Sequence, residues 1–121
     1  MNAHEHCVRA ERIARSLEKC GRDDFEMKIE AAMLAGTHWM NAALHRLSVT
    51  APDSDVFHTY LLTVNEYRRL SVADESLVAA LTEIEDLRPP YVRGNLPGGE
   101  QAAERALALL ALIRNKAEGS A

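Results

Sequence analysis

The stretch Phe25-Glu26-Met27-Lys28-Ile29-Glu30-Ala31-Ala32-Met33-Leu34-Ala35-Gly36-Thr37-His38-Trp39-Met40-Asn41-Ala42-Ala43-Leu44-His45-Arg46-Leu47 decides the fold class. Phe25, Ile29, Ala32, Met33, Gly36, Met40, Ala43, Leu44 and Leu47 recur at helical spacing and form one stripe, the core face of a long helix capped by Asp23 or Asp24. At 100° per residue the far side carries Met27, Leu34, His38, Asn41 and His45. From Ala31 to His45 there is no Asp, Glu, Lys or Arg. A helix face open to water normally carries charge, so this helix is expected to be covered on both sides, at the centre of a bundle or in a subunit interface.

Outward from this helix the same periodicity continues. Ala10, Ile13, Ala14, Leu17 and Cys20 predict a first helix from about Ala3 to Cys20, with Gly21 as its stop. Its other face bears Arg12, Arg15 and Lys19, a solvated stripe diluted by Glu11 and Glu18. A third helix is expected to open at Asp53 to Asp55, after the break at Pro52, with Phe57, Leu61 and Val64 as its buried row and His58 in its first turn. Leu77, Leu81 and Ile84 mark a further segment over Ala73 to Leu87, separate from the third helix or continuing it through a kink. A last helix runs from about Gly99 to Ala117, and Pro89, Pro90 and Pro97 stiffen the crossover before it. The short connections favour an all-α, up-and-down bundle of four to five helices in one domain over residues 1–121.

The 121 residues can remove roughly two thirds of their unfolded surface from water, enough for a core without metal or disulfide staples. Apolar residues make up 47% and charged ones 26%, which excludes a disordered chain. The net charge of −4 excludes broad, sequence-independent nucleic-acid binding. The longest apolar run, Ala106 to Ile113, is too short to cross a bilayer, and the first residues lack a signal-type apolar core. Cys7 and Cys20 on one helix would lie about 20 Å apart, too far for a disulfide. A reducing, cytoplasmic location is expected.

Chemistry-bearing spacings are sparse. No Glu-x-x-His occurs, Asp55-Val56-Phe57-His58 imitates that spacing once, and His38 and His45 stand two turns, about 10 Å, apart. His4, His6 and Cys7 fall at a terminus expected to fray. Neither a metal nor another cofactor is expected. No Gly-x-Ser-x-Gly elbow or phosphate-loop pattern is present, so no catalytic residue is assigned and an enzymatic role is not expected. His38, Asn41 and His45 remain the best polar cluster, readable as a pocket, a dimer seam or satisfied core groups.

The order of features resembles the HEPN domains, small helical bundles often paired with nucleotidyltransferases in prokaryotes. The resemblance spans nearly the whole chain. It rests on the alanine-rich run Glu30 to His45, on Asp55-Val56-Phe57-His58, on Leu87-Arg88-Pro89-Pro90-Tyr91-Val92-Arg93-Gly94, and on the final helix opening Gly99-Glu100-Gln101-Ala102-Ala103. It implies a homodimeric bundle concerned with nucleotides or RNA, or one that binds a nucleotidyltransferase-type partner. Ribonuclease members carry an arginine, a polar residue and then a histidine within a short fixed span, and no arginine here is followed by a histidine at that distance. What remains is a non-catalytic accessory module whose groove takes a nucleotide or a protein. In that reading His38, Asn41, His45 and His58 line the groove, with Tyr91 stacking on a base and Arg93 on a phosphate. The alternative is a structural or regulatory interaction protein without a small-molecule ligand.

Overall fold

The computed structural model of the protein describes residues 1–119, which form five α-helices. These are α1 (Ala3–Arg15), α2 (Phe25–Arg46), α3 (Val64–Ala73), α4 (Glu75–Arg88) and α5 (Gly99–Ala117). Among the described residues there is no strand. The central element is α2, which packs against α1, α4 and α5. Its residues Ala31, Ala32, Met33, Ala35 and Trp39 to Leu44 are all buried, so most of the charge-free stretch is covered by the chain itself, while Leu34 remains 47% exposed.

Ile29, Met40 and Leu44 of α2 meet Leu77, Leu81 and Ile84 of α4 and Ala106, Leu110 and Ile113 of α5 in one apolar core. A Cβ at Gly36 would stand at ordinary contact distance, 3.4 Å from Ile113 and 3.5 Å from Leu81, so a small residue at this position lets α4 and α5 lie close to α2. The small residues Ala102, Ala103 and Ala106 do the same on the facing side of α5.

Helix α1 starts as expected but ends earlier. Asn2 and Glu5 form a reciprocal capping box, with Glu5 N–H donating to Asn2 Oδ1 at 2.8 Å, so the terminus is tied down rather than frayed. At the other end Ser16 Oγ donates to Ile13 O at 2.6 Å, and residues Ser16–Lys19 continue only as a 3₁₀ turn.

The largest departure lies between α2 and α3. No helix opens at Asp53 to Asp55; the chain runs irregularly to Thr63, with one 3₁₀ turn over Thr59–Leu61. The expected buried row is corrected with it: Phe57, Leu61 and Val64 are 69%, 66% and 67% exposed. The cause is tertiary. Asn41 Nδ2 donates to Val56 O at 2.7 Å and Val56 N–H donates to Asn41 Oδ1 at 2.7 Å, so both main-chain groups of Val56 are spent on α2 and unavailable to a helix. Helix α3 begins instead where Thr63 and Glu66 form a second capping box.

Asp74 separates α3 from α4. Its backbone is extended (φ −159°), and its carboxylate accepts from Leu77 N–H and from Lys116 Nζ of α5. After α4 the helical path is not broken by Pro89 and Pro90. It widens into a π-type turn over Pro89–Arg93, where Gly94 N–H reaches Pro89 O at 2.9 Å.

Candidate functional site

Three separate elements bring polar side chains together beneath α1. His6 stands one turn into α1, on the face that meets α2, and is 2% exposed. His38, Asn41 and His45 come from α2 at spacings of three and four, which place them on one helical face. The segment 47–58 folds back over that face and brings Thr50, Asp55 and Val56 to it. A tight turn starts this return: Val49 N–H bonds back to Leu44 O at 3.0 Å and Ser48 takes a left-handed conformation (φ 58°).

Asp55 is the centre. Its Oδ1 lies 2.8 Å from His6 Nε2 and 2.8 Å from His45 Nε2, while Oδ2 faces the Met1 amine at 3.4 Å. The outer nitrogens of both rings are also engaged. His6 Nδ1 is 2.9 Å from His38 Nδ1, and His45 Nδ1 is 2.7 Å from Thr50 Oγ1 and 3.2 Å from Thr50 O. The histidine side chains His6 and His45 are each 3% exposed and Asp55 is 18% exposed.

For an ionised Asp55, which can only accept, both Nε2 atoms must donate. Neutral rings then fix the rest: His6 Nδ1 receives a hydrogen bond from His38 Nδ1–H, and His45 Nδ1 receives one from the Thr50 hydroxyl. Burial opposes ionisation of Asp55, but the hydrogen bonds from His6 and His45 outweigh it and hold the carboxyl below its ordinary range. Burial, reinforced by the positive charge of Arg9, pushes His38 down to about 4, so at neutral pH its ring is uncharged.

A second polar node supports the exposed segment. Glu85 of α4 is 4% exposed and accepts from Thr59 N–H at 3.0 Å, from the Thr59 hydroxyl and from His58 Nδ1 at 2.9 Å. Thr82 ties Thr59 to Tyr67 through two hydroxyl contacts of 2.9 Å. His58 stacks on Tyr60 with ring centroids 4.6 Å apart.

The structure thus unites part of the residue set expected from sequence. His38, Asn41 and His45 share one cluster, closed over by the chain itself. His58 belongs to the Glu85 node instead. Tyr91 lines a separate cleft of about 400 Å³ with Phe25 and the loop from Gly94 to Gln101, and Arg93 is exposed and not among its lining residues. His6, Thr50, Asp55 and Glu85 were missed as site residues. The Asn2-x-x-Glu5 pattern, a helix-start signature, is the local sign that His6 sits on ordered helix; Asp55 is marked locally only as a helix cap and as the opening of Asp55-Val56-Phe57-His58, and nothing local ties it or Glu85 to partners 10 to 49 residues away.

No family model, curated protein or solved structure matches the chain.

Proposed function

We propose that this chain is a non-catalytic, HEPN-like accessory bundle of up-and-down type that acts by docking, and that its first partner is a second copy of itself. One observation carries the reading. Within the eight residues 57–64, Phe57, Tyr60, Leu61 and Val64 are all at least 62% exposed, while the backbone beneath them is anchored to the buried Glu85. Four large apolar side chains held at solvent cost free energy that a loose loop would avoid by collapsing. Together they expose on the order of 400 Å² of apolar surface, the size of the apolar centre of a standard interface. Aromatic residues on an ordered support are the usual anchors of such interfaces.

The stretch from Phe57 to Val64 contains no charged Asp, Glu, Lys or Arg, so two copies can meet across a two-fold axis without like-charge repulsion. A nucleotide fits less well. The cleft beside Tyr91 is lined by Glu26 and Glu100 and by no lysine or arginine, so a phosphate would meet negative charge there. Free Cys7 and Cys20 suit a cytoplasmic location, and no described helix is long and apolar enough to cross a membrane.

The test is light scattering on the wild-type protein and on the double variant Phe57→Ser/Leu61→Ser. The expected result is twice the 13.4 kDa chain mass for the wild type and the single chain mass for the variant. A wild-type monomer at every concentration, or a dimer that the double variant leaves intact, would overturn the self-docking reading. A monomer that binds a nucleotidyltransferase-type protein through these same residues would transfer the surface to that partner.

A further inference from the structure

The Asp55 cluster has a feature that a hydrogen-bonded polar core does not require. Two imidazoles from different helices aim their Nε2 atoms at the same carboxylate oxygen, while Oδ2 meets only the Met1 amine at 3.4 Å. The three donor atoms, His6 Nε2, His45 Nε2 and Asp55 Oδ1, all lie within 4.8 Å of one another. We propose that His6, His45 and Asp55 form a three-ligand site for a divalent first-row transition ion of the zinc type, with its fourth position left to water or an anion.

The donor set decides the class of ion. Two imidazoles and one carboxylate suit zinc and its neighbours, whereas calcium and magnesium take oxygen donors. The geometry is close to what such an ion needs. Tetrahedral bonds of about 2.0–2.1 Å place ligand atoms about 3.4 Å apart, so each Nε2–Oδ1 separation of 2.8 Å opens by about 0.5 Å.

The surrounding contacts supply an independent argument. A metal-bound histidine almost always donates its other ring N–H to an acceptor that fixes its orientation. Both rings already have one: Thr50 O and Oγ1 face His45 Nδ1, and His38 Nδ1 faces His6 Nδ1. Binding then needs no net proton loss from neutral rings. On His6 and His45 the single N–H moves from Nε2 to Nδ1, and on His38 it moves from Nδ1 to Nε2. Asp55, the most exposed of the three ligands, also lines a surface cleft of about 370 Å³ with Thr50, Glu66 and Arg69, which gives an ion a route to the carboxylate.

Sequence spacing hid this set because the ligands come from α1, α2 and the 47–58 return, up to 49 residues apart. A bound ion would staple these three elements together.

The experiment titrates the full chain with Co²⁺ and with Zn²⁺, following visible absorption, heat and thermal unfolding. Expected are one equivalent bound, the absorption of four-coordinate Co²⁺, and a higher unfolding temperature with Zn²⁺. Asp55→Asn keeps an acceptor oxygen for both rings, so it should fold and yet lose the Co²⁺ absorption. His38→Ala, which removes only the group orienting His6, should weaken binding by about 10- to 100-fold. His4→Ala, on the exposed face of α1, should bind like the wild type. Absence of absorption and heat with either ion would overturn the site and leave a hydrogen-bonded cluster only. Binding that survives Asp55→Asn but is lost in His4→Ala would overturn it equally, by placing the ion on the exposed terminus.

Discussion

Replacing Glu85 by alanine removes the carboxylate that, beside the Thr82 hydroxyl, anchors the exposed segment to α4. Three donors lose their acceptor: Thr59 N–H, the Thr59 hydroxyl and His58 Nδ1. Hydrogen bonds to a charged group contribute about 1.5–3 kcal/mol each, and donors left dry cost about as much again. Thr59 is 3% exposed, so its amide and hydroxyl regain water only if residues 57–61 lift away. That lifting caps the loss, and we expect about 3 kcal/mol, near the lower end of what breaking a buried charged contact costs. For a domain whose total stability is about 5–15 kcal/mol, such a loss is large, equivalent to roughly 12 °C in unfolding temperature. Glu85→Gln keeps an acceptor for Thr59 and should cost about 1 kcal/mol. Urea unfolding followed by circular dichroism reads both variants. Glu83→Ala, also on α4, deletes an exposed pair with Arg105 of α5, serves as the control and should change nothing measurable. A Glu85→Ala loss below about 1 kcal/mol, or a Gln variant as unstable as the Ala variant, would refute the anchoring argument.

Two further outcomes follow from local structure. Ser48 holds a left-handed conformation that favours glycine, so Ser48→Gly should raise stability by about 0.5–1 kcal/mol in the same urea assay; a loss would show that the Ser48 side chain matters to the turn. Burial opposes ionisation of Asp74, but hydrogen bonds from Lys116, Leu77 and Ser76 prevail and hold its carboxyl below the ordinary value. Its contribution is therefore complete above the unfolded-state value and disappears as pH falls through the lower folded-state value. The stability gap between wild type and Asp74→Asn should be constant from neutral pH to about pH 5 and close in more acid solution; a gap that widens on acidification would contradict the sign.

Legibility in the sequence followed how local the controlling forces are. Helix α2 and helix α5 could be read directly, because their apolar stripes persist for many turns and agree with the packing. The start of α3 could not be read in the same way. Phe57, Leu61 and Val64 imitate a helical stripe, but the bonds from Asn41 to Val56 and from two histidines to Asp55 outweigh that local preference. The Thr63-x-x-Glu66 pattern marked the true start and competed with Asp53 and Asp55, which are equally good caps. The candidate site divided along the same line. His38, Asn41 and His45 were visible through helical spacing on a charge-free helix, whereas His6 and Asp55 met only through the return of 47–58, and Glu85 met His58 and Thr59 only through the docking of α4.

The most direct test of the docking surface is backbone hydrogen exchange across residues 57–64, measured in dilute and in concentrated wild-type protein. Exchange is expected to slow with concentration in this segment while the solvent-facing turns of α1 and α5 stay unchanged. Exchange at 57–64 that is indifferent to concentration, with slowing elsewhere or nowhere, would contradict it.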